Sequence, residues 1–130
     1  MMLSINSFHH IAIICSDYSR SKHFYTHVLP LEIIRETYRR ERDSYKLDLS
    51  LNGIFLIELF SFNNPPPRVS GPEAAGLRHL AFEVHDMNEA CRHLEEQGIP
   101  YEAVRTDTLT GKKFTFFRDP DDLPVEFYER

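Results

Sequence analysis

The chain has 130 residues, 42% hydrophobic and 27% charged, with 15 Lys and Arg against 20 Asp and Glu for a formal net charge of -5. That composition is globular, and its acidic balance speaks against a general nucleic-acid binder, whose surface must be basic. No apolar run approaches the roughly 18–20 residues of a membrane span, so no membrane partner is expected.

Met1 to Asn6 lack the basic and apolar regions of a secretory signal. Cys15 and Cys91 sit inside apolar patterns, as reduced buried thiols of a cytoplasmic protein do. In chain order, His10 to Cys15 reads as a short strand leading to Asp17, a residue suited to capping a helix. The helix runs over about Tyr18 to Val28, with Phe24, Tyr25, Val28 and Leu29 as its apolar stripe. Arg35, Arg39, Arg40 and Arg42, interleaved with Glu36, Glu41 and Asp43, read as a solvated hairpin. Tyr45, Leu47, Leu49 and Leu51 alternate with Ser44, Lys46, Asp48 and Ser50, which is a strand. Asn52-Gly53 then marks a tight turn into a strand over Ile54 to Phe60. Asn63 to Gly76 contains Pro65-Pro66-Pro67 and excludes helix or central strand, so it reads as a connector.

The second half repeats these signals. His79 to Val84 is a strand, Asp86 a cap and Met87 to Gln97 a helix. Met87, Ala90, Cys91 and Leu94 recur at i, i+3, i+4 and i+7, and Gly98 stands at the stop. Lys112 to Phe117 runs into the turn Asp119-Pro120-Asp121-Asp122, and a last strand covers Val125 to Tyr128. His10-Ile11-Ala12 ending at Asp17 matches His79-Leu80-Ala81 ending at Asp86, and Ile57-Glu58-Leu59-Phe60 matches Val125-Glu126-Phe127-Tyr128. Two matched pairs at nearly the same offset indicate homologous modules. The predicted fold is therefore α+β, two βαβββ modules forming a curved mixed sheet. Residues 1–130 make one domain, with module one at about 6–62, the connector at 63–76 and module two at about 77–130.

Strand parity places Ile11, Ile13 and Cys15 on one face, with His10, Ala12 and Ile14 on the other; Leu80, Phe82 and Val84 likewise oppose His79, Ala81 and Glu83. The apolar faces suit the helices, so both histidines look away from them. Glu58 and Glu126 each lie within an apolar strand, where an unpartnered carboxylate is costly. If the modules pack around a pseudo-twofold, two imidazoles and two carboxylates can converge as a site for a divalent metal. With no CxxC or HExxH motif, spacing alone leaves that reading and ordinary strand residues both open.

The other histidines carry less. His23 and His27 stand at i and i+4 near a helix C-terminus, where cations are simply favoured. Parity points His9 away from His10, His85 is in a turn, and His93 lies off the helix stripe. No Ser/His/Asp order, phosphate loop or dinucleotide fingerprint is present.

The ordered set of His10 with Asp17, Phe24-Tyr25 with Val28-Leu29, Ile57-Glu58-Leu59, Arg78 to Phe82, Asp119-Pro120-Asp121 and Pro124-Val125-Glu126 resembles the vicinal oxygen chelate superfamily. Within it the chain is similar to the glyoxalase I type, and the likeness covers nearly the whole sequence. The resemblance implies a glyoxalase-like fold with His10, Glu58, His79 and Glu126 as metal ligands. It also implies Glu126 as catalytic base in a lyase or isomerase that stabilises an enediolate on a small vicinal-dioxygen substrate. One divalent ion, of nickel, zinc, cobalt, manganese or iron, would serve as cofactor. A homodimer is implied as well. Where glutathione-using bacterial members carry Arg and Asn, this chain has Ile14 and Phe62, so those glutathione anchors are missing. The rival readings are an iron-dependent dioxygenase and a metal-free module that binds a drug or metabolite.

Overall fold

The structure is a computed structural model that describes residues 1–130. It divides into two compact units, Met1–Pro65 and Pro66–Arg130. The division falls inside the Pro-rich connector, where the missing amide hydrogens and fixed φ of proline prevent either sheet from continuing.

In the first unit, β1 (Ile11–Cys15) is followed by α1 (Tyr18–His23) and a π-helical turn over Phe24–Val28; β2 (Glu32–Arg39), β3 (Ser44–Leu51) and β4 (Ile54–Ser61) complete it. The sheet order is β1-β4-β3-β2, with β1 parallel to β4 and the other pairs antiparallel. Asp17 caps α1, its carboxylate accepting from the Arg20 amide at 3.2 Å. Asn52 and Gly53 both adopt positive φ, 51° and 80°, as a type I′ hairpin turn requires. Ile13 and Cys15 on β1, Leu47 and Leu49 on β3, and Ile57 and Leu59 on β4 are all buried, beneath Phe24, Tyr25 and Val28 of the helical segment. Full burial of such side chains is worth about 1.5–3 kcal/mol each.

The second unit repeats the plan: β5 (Leu80–Val84), α2 (Met87–Glu96), β6 (Arg105–Thr106), β7 (Lys113–Arg118) and β8 (Pro124–Glu129). Its order β5-β8-β7-β6, with β5 parallel to β8, mirrors the first. Asp86 caps α2 by accepting from the amides of Asn88 at 2.8 Å and Glu89 at 3.2 Å. Gly98, at a φ of 71°, takes the left-handed conformation that ends the helix. Met87, Cys91 and Leu94 bury the apolar stripe, and Val125 and Phe127 are buried on β8.

The molecule is thus α+β, two four-stranded mixed sheets in two βαβββ repeats. Cys15 and Cys91 are buried and form no disulfide, and burial pushes the Cys91 thiol up. No helix is long and apolar enough to cross a membrane.

The first helix departs from expectation at its end. The Leu29 amide reaches back to the Phe24 carbonyl, an i to i-5 bond, so the segment closes as a π turn. Residues Arg35 to Arg42 form most of β2 and a 3-10 turn, exposed along nearly all their length, consistent with a solvated hairpin.

Candidate metal centre

The ladder brings each histidine to its glutamate. In the first unit Ala12 pairs with Glu58 across the parallel β1 and β4. His10, two residues before Ala12, reaches Glu58 with Nε2 3.2 Å from Oε1. In the second unit Ala81 pairs with Glu126, and His79 Nε2 lies 3.3 Å from Glu126 Oε1. Alanine beside each histidine leaves room for the ring above the partner strand. Both carboxylates are mostly covered, with Glu58 15% and Glu126 14% exposed, whereas His10 and His79 are 32% and 24% exposed. Each pair therefore presents one imidazole nitrogen and one carboxylate oxygen at the rim of its sheet, on the side away from the helix.

The donor set and spacing fit a divalent ion. Imidazole nitrogen and carboxylate oxygen bind such ions at about 2.0–2.2 Å, which sets neighbouring donors roughly 2.9–3.5 Å apart. The two His–Glu separations fall inside that window. They are longer than the 2.7–2.9 Å typical of a direct charge-assisted hydrogen bond. No group of three or more His, Cys, Asp or Glu side chains assembles around one point; each unit holds one His–Glu pair.

The surroundings of the two halves differ. Asp48 stands directly opposite Glu58 on the β3–β4 ladder, two carboxylates facing each other. Lys46 reconciles them, its Nζ 2.9 Å from Asp48 Oδ1 and 3.3 Å from Glu58 Oε2. Asp48, then Glu58, push the Lys46 pKa up and hold it as an ammonium. In the second unit Phe116 stands opposite Glu126, and Phe114 occupies the place equivalent to Lys46. The His79 ring meets Phe116 edge-on at 5.0 Å, so this half is walled by aromatic rings. Neither Lys46 nor Asp48 stood out in the sequence, because a Lys-x-Asp in an alternating strand reads as solvated positions.

The histidines also differ on their outer edges. His9 Nδ1 lies 2.7 Å from His10 Nδ1, and both rings lie against Phe55. The parity argument that pointed His9 away fails here because the strand begins only at Ile11. On the other half Arg78 Nη1 is 3.2 Å from His79 Nδ1. His23 and His27 stack face to face at 4.6 Å on the exposed side of their helix, apart from either pair.

A sequence model of the Glyoxalase/Bleomycin resistance protein/Dioxygenase superfamily matches residues 7–127. The chain belongs to that superfamily. It is similar to the uncharacterized protein YwkD of Bacillus subtilis (strain 168), 64% identical over 126 residues covering 97% of this chain and 98% of the relative. It is also similar to the uncharacterized protein YaeR of Escherichia coli (strain K12), 54% identical over 99% of this chain and 100% of that one. Among solved structures, a glyoxalase family protein from Enterococcus faecalis superposes with a TM-score of 0.86 at 49% identity, over 95% of this chain and 97% of that one. The superfamily contains many enzymes, and its members often use a divalent metal.

Proposed function

We propose that the chain is a metal-dependent lyase or isomerase of the glyoxalase I type, with His10, Glu58, His79 and Glu126 as ligands to one divalent ion. The observation that carries this reading is the pair of equivalent His–Glu contacts, 3.2 and 3.3 Å, built at the same register position of two repeated sheets. A repeat that preserved only packing would have no reason to keep a costly carboxylate inside both apolar strands. Bound there, the ion would supply neutralisation of the negative charge that builds on two adjacent substrate oxygens.

The chain's own residues divide the remaining work. Glu58 has its second oxygen engaged by the Lys46 ammonium. Glu126 has no cation or donor at its second oxygen, and Phe116 faces it across the ladder. Glu126 is therefore the carboxylate able to take a proton from the carbon beside a carbonyl and to return it to the neighbouring carbon. The net change is the transfer of one hydrogen within the substrate, with no oxidant or reductant required. With Ile14 and Phe62 where glutathione anchors would stand, the substrate reading is a small vicinal-dioxygen compound, with no dependence on the glutathione carboxylates. By this reading the protein works as a homodimer.

The test is turnover of methylglyoxal, with and without glutathione, by the holoprotein and by Glu126→Gln. Loss of turnover in a folded Glu126→Gln protein that still holds part of its metal is the expected result. Undiminished turnover would remove Glu126 from the role of base.

A further inference from the structure

We propose that a cavity in the second unit, opening beside His79, is an oxyanion subsite whose anchor is Arg68, so that the substrate carries a carboxylate or phosphate-type group. The cavity holds about 290 Å³, and its charged lining is Arg68, Arg78, Arg105 and Arg118 with Glu73 and Glu102, beside His79 and Phe116. Four guanidinium groups against two carboxylates leave this small space positive in a chain of net charge -5.

Three of the four have an acid of their own. Arg78 Nε lies 2.6 Å from Glu73, Arg105 Nη2 3.0 Å from Glu102, and Arg118 Nη1 3.1 Å from Asp122. Arg68 has none. Its Nε donates to Ser70 Oγ at 3.0 Å, and its Nη2 donates to the Leu77 carbonyl and, at 3.2 Å, to the Arg78 carbonyl. Ser70 is itself fixed, donating to the Asp122 carbonyl at 2.7 Å. All of these acceptors are neutral, so Arg68 is held in place without an ion pair of its own.

The two hydrogens of Arg68 Nη1 have no protein partner, which leaves one edge of a rigid, half-buried guanidinium available. A planar fork immobilised in this way suits the paired oxygens of a carboxylate or phosphate. Arg105 closes another side, its guanidinium 4.9 Å above the Phe114 ring. His79 lines the same cavity, so an anion held there would sit next to the proposed metal half-site. The inference rests on the metal reading only for where the reacting oxygens lie; the anion site itself stands on the arginines.

The experiment uses the full chain stripped of metal by chelator and dialysed. Inorganic phosphate is titrated calorimetrically at constant ionic strength, with chloride as the blank and acetate as competitor. Saturable binding at one site is expected, weakened about tenfold or more in Arg68→Met, in line with loss of a charge-assisted hydrogen bond. Arg105→Gln, which leaves the Arg68 contacts intact, should weaken it as well. Arg92→Gln, on the exposed side of α2, should leave it unchanged. Competition by acetate would assign the site to oxyanions generally, and its absence to the phosphate type. Absence of saturable binding, or affinity equal to the wild type in the Arg68 or the Arg105 variant, would overturn the proposal. Metal uptake measured on the same proteins separates the two readings. An Arg68→Met protein that takes up metal normally but not phosphate supports the subsite. Phosphate binding by a wild-type chain that takes up no metal would keep the subsite while ending the metal reading.

Discussion

Replacing Lys46 by Met should cost about 2–4 kcal/mol of stability, and the structure says where that cost arises. Asp48 and Glu58 face each other across the β3–β4 ladder with only 9% and 15% of their side chains exposed. The Lys46 ammonium touches both, at 2.9 and 3.3 Å, and is itself 27% exposed. At an effective dielectric of about 20, each contact is worth roughly 5 kcal/mol of gross attraction. Desolvation of the ammonium offsets most of it, which leaves a net cost near that of breaking a partly buried pair, at or below about 3–5 kcal/mol. Urea denaturation followed by circular dichroism should show a lower midpoint with an unchanged slope. Adding Asp48→Asn to Lys46→Met should recover part of the loss, because one of the two facing charges is gone. Added divalent ion should stabilise Lys46→Met more than the wild type, because it supplies the positive charge that Glu58 has lost. A single-variant cost below about 0.5 kcal/mol, or a double variant equal to the sum of its parts, would refute the reasoning.

Three further expectations are independent of that one. Asp86→Ala removes the acceptor for the Asn88 and Glu89 amides and should lower stability by about 1 kcal/mol in the same assay. Gly53→Ala should cost about 1 kcal/mol through the positive φ of 80° alone, since the added Cβ would meet nothing within 4 Å. Asp107 is held below the usual carboxylate range, first by the Leu109 amide and then by the Tyr128 hydroxyl; Asp43 and Glu36 are depressed too, by Tyr38 and by Lys22 respectively. A depressed carboxyl stabilises the fold above its unfolded pKa of about 4, and that contribution is lost as the pH falls through the lower folded value. The melting temperature should therefore hold from neutral pH to about 5 and drop below about 4, less steeply in Asp107→Asn. A melting temperature flat down to pH 3 would contradict this.

The sequence carried the fold through its repeat. Asp17 and Asp86 both cap helices as their position implied, and the matching His-x-Ala runs became the β1 and β5 edges that reach their glutamates. Periodicity works there because parallel pairing fixes the register between Ala12 and Glu58 as it does between Ala81 and Glu126. Local pattern failed where the determinant is not local. Nothing in the spacing of Phe24 to Val28 announces that the helix closes with a π turn. His9 lies against His10 because parity has no force on residues that precede a strand. Lys46 became legible only once the ladder set Asp48 against Glu58. The connector read as a spacer, yet Arg68 and Ser70 within it bind carbonyls as distant in sequence as Asp122. Hydrogen bonds of that kind leave no periodic trace.

The central claim is that two His–Glu pairs hold one divalent ion, and metal content measures it most directly. Tag-free protein purified without added metal or chelator should contain about one divalent ion per chain by plasma mass spectrometry. His79→Ala and Glu58→Gln should each lose it while keeping the circular dichroism of the wild type. Equal metal content in wild type and both variants, or no ion taken up by the wild type on titration, would contradict the account and direct the function toward a metal-free binding module.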